Sequence, residues 1–116
     1  MTTKKVAVVV TRVYDLILWL LPKLEKFPRS QKFLLGDRIE TALFEILEFL
    51  IEANYCQKNR AEILVKINLK LDILRFLMRI AKDMRYVDFK AFEYQARLID
   101  EVGRMVGGWK NQAASS

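Results

Sequence analysis

Histidine is absent from this chain of 116 residues, and cysteine occurs once, at Cys56. Without histidine the chain lacks the commonest general base and one of the commonest zinc ligands. A single cysteine excludes an internal disulfide and is expected to be a buried structural thiol. Three glutamates, Glu45, Glu48 and Glu52, could bind a divalent cation, but a solvated polar stripe is the preferred interpretation. We therefore expect no enzyme, no metal site and no cofactor.

Helix breakers are also few, since the chain has only four glycines and two prolines while apolar residues make up 53% of it. This composition favours a folded, mostly helical protein over a disordered one. The length fits a single domain, residues 1–116. No apolar run approaches the roughly 20 residues that a membrane span requires. We expect a cytoplasmic protein that does not enter a membrane.

Apolar residues recur at helical spacing in four segments. The predicted helices cover about residues 6–26, 31–55, 60–85 and 89–109, with Asp88 as the cap of the fourth. Residues 110–116 offer nothing to bury and are expected to form a loose tail. Because the connections are short, successive helices should be antiparallel. The predicted fold is an all-α, up-down-up-down four-helix bundle.

The third predicted helix carries two apolar stripes instead of one. A surface helix of a monomeric bundle needs only one stripe, about 100° wide. The helix is therefore either central in the fold or covered by another subunit, and a four-helix bundle has no central helix. We expect an oligomer, since the second stripe provides an interface. That stripe consists of Leu69, Ile73, Phe76, Leu77 and Ile80.

Three of the four glycines lie in the segment "DEVGRMVGGWK" at the end of the fourth predicted helix. Gly103 and Gly107 are four residues apart, so they share a helix face and would allow close helix packing. Gly108 suits a helix end, where a positive φ is needed. A phosphate-binding role is disfavoured, because phosphate loops place glycines before a helix N-terminus.

The net charge of +6 is unevenly distributed. Residues 1–38 and 58–85 each carry eight Lys or Arg against three acids, whereas residues 39–57 carry four Glu and no base. Such basic excess favours a polyanion, either RNA, DNA or an acidic protein face. Aromatic and basic residues do not alternate, which argues against sequence-specific recognition of single strands. The candidate binding residues are Arg75 and Arg79 of the third predicted helix, and Lys26, Arg29 and Lys32 around the first connection.

Three segments, "KFPRSQKFLLGDRIETALFEILEFLIEANY", "NLKLDILRFLMRIAKDMR" and "LIDEVGRMVGGW", occur in this order. Together they resemble the Avd proteins, the accessory variability determinants of diversity-generating retroelements. The resemblance covers about residues 10–110. The broader superfamily includes four-helix proteins encoded in intervening sequences of bacterial 23S rRNA genes.

The resemblance implies a four-helix bundle that assembles into a ring-like, basic homopentamer. It also implies a partner reverse transcriptase, an associated template RNA, and a role in error-prone cDNA synthesis without catalysis. By position, Arg75 and Arg79 match basic residues of the family's third-helix segment. Basic positions of the family's first segment match Arg29, Lys32 and Arg38, and its C-terminal signature matches Arg104 and Trp109. The resemblance therefore adds Arg38 and Arg104 to the candidate binding residues.

Two other interpretations remain open. The chain could be of the 23S rRNA intervening-sequence type and bind structured RNA. It could also be a purely structural interaction module whose basic charge serves solubility.

Overall fold

Four long helices make up most of the computed structural model, which describes residues 3–115 and the side chains of residues 4–114. One α-helical turn and one π-helical turn lead directly into the second long helix. In chain order the segments are α1 Thr3–Leu24, the turn Arg29–Gln31, the π-helical turn Lys32–Gly36, α2 Asp37–Tyr55, α3 Arg60–Asp83 and α4 Phe89–Ser115.

The helices pack in a closed ring of neighbours. Helix α1 packs against α2 and α4, while α3 makes the most extensive contacts, with α2 on one side and α4 on the other. The connections, residues 25–28, 56–59 and 84–88, are too short for anything but antiparallel neighbours. Residues 3–115 contain no β-strand. The predicted all-α four-helix bundle is confirmed for a single chain.

A continuous apolar core runs along the bundle axis. Each long helix contributes side chains that are completely inaccessible to solvent, for example Leu20, Leu43, Leu74 and Ile99. They recur at spacings of three and four residues, which places them on one face of each helix. Burial of one such side chain stabilises the fold by about 2 kcal/mol relative to leaving it exposed.

The helix ends differ from their predicted positions by a few residues. Helix α1 ends at Leu24, shortly after Pro22, which cannot donate a backbone hydrogen bond. Helix α3 ends at Asp83, and Arg85 then adopts a left-handed conformation with φ of 64°. The amide of Tyr86 donates to the carbonyl of Ala81, as in a Schellman motif. Arg85 thus occupies the left-handed position after the helix end, where glycine is the usual residue.

Helix α4 extends beyond its predicted end at residue 109 and continues to Ser115. Trp109 is buried, and Ala113 packs against the core, so this last part has apolar contacts that keep it helical. The expected loose tail therefore differs from the structure over residues 110–115, and residue 116 lies outside the described residues. Gly108 has no positive φ, so its predicted role as a helix end is wrong.

The structure also bears on two candidate reactive groups of the sequence, the thiol of Cys56 and the glutamates of α2. Cys56 is exposed in the connection after α2, so the prediction of a buried thiol is wrong. All four residues of that connection, 56–59, are exposed. Among the described residues, no three His, Cys, Asp or Glu side chains are grouped as metal ligands.

No helix within residues 3–115 is long and apolar enough to cross a membrane.

Candidate functional site

Arg75 lies on α3, facing α4, and its charge is shared by two carboxylates. Its Nη1 donates to Oδ1 of Asp72 at 2.7 Å, one helical turn earlier, and its Nη2 lies 3.2 Å from Oδ1 of Asp100 on α4. The pairing with Asp72 that the spacing indicates is present, and the one with Asp100 joins two helices. Arg75 therefore offers little net positive charge to a ligand.

Gly103 provides the space for this arginine. A Cβ atom at Gly103 would lie 3.0 Å from Nη2 of Arg75 and 3.9 Å from a methyl group of Leu71. The glycine therefore accommodates a side chain of α3 and not a neighbouring backbone. Among the described residues, no atom outside the local helix lies within 4 Å of a Cβ at Gly107. The predicted close packing is therefore wrong for Gly107, whose own face of α4 is open.

Arg79 lies one turn after Arg75 and is exposed. The two arginines line a groove of about 330 Å³ between α3 and α4, together with Phe92 and Gln95. Gln95 is only 1% exposed; its Nε2 donates to the backbone carbonyl of Phe92 at 2.7 Å. Its Oε1 is buried without a hydrogen-bond partner among the described residues. Arg79 forms no ion pair within residues 3–115 and can contact a ligand.

Arg104 lies on the outer surface of α4, in a shallow groove that Arg97 and Tyr94 also line. The nearby carboxylate of Glu101 is engaged by Arg12 of α1, whose Nε lies 2.9 Å from Oε1. This hydrogen bond, together with the charge of Glu101, raises the pKa of Arg12. Neither Arg97 nor Arg104 forms an ion pair within the described part of the chain, so both remain available to an anion.

Lys26 lies at the end of α1, in a small groove with Lys23 and Asp88. A second groove of about 270 Å³ continues from it and adds Lys90 of α4 and the rings of Trp19 and Tyr94. Asp88 serves as the predicted cap of α4, since its Oδ1 accepts from the amide of Ala91 at 2.7 Å. Its carboxylate is therefore partly neutralised by the helix N-terminus.

These grooves adjoin one another, because each shares a lining residue with the next. Asp100 belongs to the grooves of Arg79 and of Arg104, Tyr94 to those of Arg104 and Lys90, and Lys23 to those of Lys90 and Lys26. We call this surface the basic belt. Its cations are Lys23, Lys26, Arg79, Lys90, Arg97 and Arg104.

The remaining predicted residues lie away from the basic belt. Arg38 lines a groove of about 540 Å³ between α2 and α3, which also contains the ion pair of Lys70 with Glu45, at 2.7 Å. Lys32 is paired with Glu25 at 2.6 Å, and Arg29 is exposed beside it in the helical turn before the π-helical turn. The seven predicted cations therefore do not form one patch on a single chain.

The second apolar stripe of α3 is largely exposed to solvent in the described part of the chain. Leu69, Ile73, Phe76 and Ile80 are exposed, Phe76 to 66%, whereas Leu77 is half-buried against the core. This excludes the interpretation of α3 as a central helix. The sequence identified the stripe by its spacing alone, while the subunit that would cover it remains a prediction.

Several residues of the basic belt could not be predicted from the sequence. Lys90 and Arg97 are ordinary exposed positions of α4 by spacing, and Tyr94 is separated from Trp19 by 75 positions of the sequence. The two rings nevertheless lie 4.7 Å apart between centroids, at an interplanar angle of 36°. The two rings meet only because α1 packs on α4, and no local sequence pattern predicts this contact.

A protein-family model described as bAvd-like matches residues 7–113 of the chain. The match spans all four helices, from the first turns of α1 to the last turn of α4. No curated protein shows significant similarity to the chain.

Proposed function

Because the chain belongs to the bAvd-like family, we propose that it is an accessory protein of a diversity-generating retroelement. Avd-like proteins are accessory and non-catalytic. In this proposal the protein binds the reverse transcriptase and the template RNA and thereby supports mutagenic cDNA synthesis. The family match over residues 7–113 is the observation that carries the proposal.

The basic belt supports the RNA part of the proposal. Its cations form no ion pairs within residues 3–115, whereas the nearby carboxylates of Asp100, Glu101 and Asp88 are each engaged by an arginine or a helix N-terminus. A surface with available cations and occupied carboxylates attracts phosphates. Binding through several phosphate contacts weakens steeply as the salt concentration rises.

Self-association is the second part of the proposal. The exposed stripe of α3 is apolar and continuous along the helix, as expected of a subunit interface. In the homopentamer that the Avd resemblance implies, the basic belt would occur five times. The local potential, and with it the affinity for a long polyanion, would increase accordingly.

The test reconstitutes cDNA synthesis with the reverse transcriptase and template RNA of the same element. The variant Arg79→Glu/Arg104→Glu reverses two cations of the basic belt that form no ion pair within residues 3–115. The control Lys58→Glu/Lys66→Glu makes the same change of charge at exposed positions outside the belt. We expect the first variant to lower RNA binding and cDNA yield at least ten-fold, and the control to leave both within about two-fold.

Pull-down with the reverse transcriptase completes the test. A wild-type protein that binds neither the polymerase nor RNA would contradict the proposal and leave the structural-module interpretation. Binding of structured RNA without any effect on cDNA synthesis would favour the 23S rRNA intervening-sequence type. Equal losses in both double variants would show that overall charge, and not the basic belt, determines binding.

A further inference from the structure

We propose that Trp19 and Tyr94 form a stacking platform for an unpaired base of an RNA strand that follows the basic belt. The inference rests on the proposed function, since it takes RNA as the partner, and it adds the part of the RNA that is recognised. The site lies in the groove between α1 and α4 and is formed by residues of both helices.

The platform consists of two rings in direct contact, with one side of the pair open. Their centroids lie 4.7 Å apart and the ring planes are tilted by 36°. Trp19 is partly buried against the core and fixed by it, while Tyr94 is 41% exposed. An exposed ring packed against a partly buried one is pre-organised, so a base that stacks on Tyr94 loses little affinity to side-chain ordering.

Cations surround this pair of rings. Nζ of Lys23 lies 4.4 Å from the centroid of the Trp19 ring, and Lys90 lines the same groove. Lys26 continues the cationic surface past the end of α1, and Arg97 continues it along α4. A strand whose base stacks on Tyr94 therefore has cations in both directions for its neighbouring phosphates.

An unpaired nucleic-acid strand matches both properties of the groove, because every nucleotide carries a phosphate and a planar base. Stacking of bases on aromatic side chains beside a basic groove is the usual mode of single-strand binding without sequence preference. A duplex keeps its bases stacked inside, so it would use the cations alone. An acidic peptide matches the charge of the groove, but it does not carry a planar group at every residue that could stack on the rings.

The experiment separates stacking from charge with two fluorescent RNA probes. One is oligoadenylate, and the other is an abasic ribose-phosphate strand with the same number of phosphates. Fluorescence anisotropy measures the affinity of the full-length protein for each probe over a range of salt concentrations. We expect wild-type protein to bind oligoadenylate more tightly than the abasic strand, because only oligoadenylate can stack.

The variant Tyr94→Leu removes the exposed ring and keeps an apolar side chain. It should weaken oligoadenylate binding roughly 5- to 100-fold and leave the abasic strand and the salt dependence of binding unchanged. Tyr94→Phe keeps the ring and should stay within about two-fold of wild type. Tyr55→Leu removes a ring that is 79% exposed at the opposite end of the bundle, and it should have no effect.

Should Tyr94→Leu fail to fold, Tyr94→Gln repeats the measurement with a polar side chain of similar helix propensity that suits an exposed position. The stacking platform would be overturned if Tyr94→Leu weakened the binding of both probes equally, or if it left the binding of oligoadenylate unchanged. In either case the wild-type protein would still bind RNA. Loss of reverse transcriptase pull-down with unchanged RNA binding would overturn the platform in favour of a protein contact. A wild-type protein that binds neither probe would contradict the RNA part of the proposed function as well.

Discussion

Arg60 joins three helices at one end of the bundle. From the start of α3, its Nε donates to the carbonyl of Ala53 at 2.6 Å and its Nη2 to the carbonyl of Asn54 at 3.0 Å. Both carbonyls lie in the last turn of α2, where the helix ladder leaves them without amide partners. The guanidinium also lies 5.6 Å from the ring centroid of Trp109 on α4.

We predict that Arg60→Ala lowers the free energy of unfolding by about 1–2 kcal/mol. The variant leaves two carbonyls unpaired and removes a cation from a helix C-terminus, where it is favourable. Urea denaturation followed by circular dichroism measures the change. Lys58→Ala, an exposed cation of the same connection, is the control and should stay within about 0.5 kcal/mol of wild type. Equal stabilities of Arg60→Ala and wild type would contradict the role of Arg60.

Gln95 is buried beside the groove of Arg79, and its Oε1 has no hydrogen-bond partner within residues 3–115. A buried amide oxygen without a partner costs about 1–3 kcal/mol in desolvation. The single hydrogen bond of its Nε2, to the carbonyl of Phe92, adds little, because that carbonyl lies within α4 and takes part in the helix ladder.

We predict that Gln95→Leu raises the free energy of unfolding by about 1 kcal/mol, since it replaces a buried amide that is only partly hydrogen-bonded by an apolar side chain of similar volume. A thermal melt should show a higher midpoint temperature. Arg104→Leu, at an exposed position of the same helix, controls for the introduction of a leucine into α4, because Arg and Leu have similar helix propensities. A destabilised Gln95→Leu protein would mean that the amide is needed in the fold.

The glycines of α4 differ in what surrounds them, although all lie in one helix. Gly107 faces open space, and a Cβ at Gly103 would crowd Nη2 of Arg75 at 3.0 Å. Neither has a positive φ, so alanine suits the backbone at both positions. The local environment, and not the helix, therefore determines what each substitution does.

We predict that Gly107→Ala raises the free energy of unfolding by about 0.5–1 kcal/mol, the usual gain of alanine over glycine within a helix. Gly103→Ala should gain less, because the guanidinium of Arg75 must move and its contact with Asp100 weakens. Chemical denaturation of both variants measures the difference. Equal gains would show that Arg75 adjusts at no cost.

The sequence predicts the long helices well, because a core-facing stripe at helical spacing is a strong signal. It does not predict the π-helical turn Lys32–Gly36, since one extra residue in a turn leaves the apolar spacing on either side intact. The end that the sequence predicts for α4 is also too early. Two adjacent glycines indicate a helix end locally, but the packing of Trp109 and Ala113 on the core overrides that preference.

The assembled protein should be an oligomer held by the exposed stripe of α3. We predict a native mass near five times 13.7 kDa by light scattering on a sizing column. Phe76→Glu/Ile80→Glu should reduce this mass to that of one chain and keep the helical circular dichroism, because both side chains lie outside the core. Burial of unpaired carboxylates in an apolar interface is strongly unfavourable.

Tyr55→Glu/Phe89→Glu is the matched control, since it introduces the same charges at exposed aromatic residues outside the stripe. It should leave the mass unchanged. A wild-type protein that elutes at the mass of a single chain would contradict both the interface and the ring.

The candidate site is less predictable from the sequence than the fold, since its partners are distant along the chain. The pairing of Arg75 with Asp72 follows from helical spacing, but its second partner, Asp100, lies on another helix. The sequence pattern instead suggests that Asp100 pairs with Arg104, one turn later on α4. The contact of Trp19 with Tyr94 likewise depends on how two whole helices pack.

The π-helical turn Lys32–Gly36 also bears on how chain length can vary. Hydrogen bonds in a π-helix span five residues, whereas those in an α-helix span four. Deletion of one residue here can therefore be absorbed by a change from π to α geometry. The residues from Asp37 onward would then keep their places in the core, so homologous chains can differ by one residue at this turn and share the same bundle.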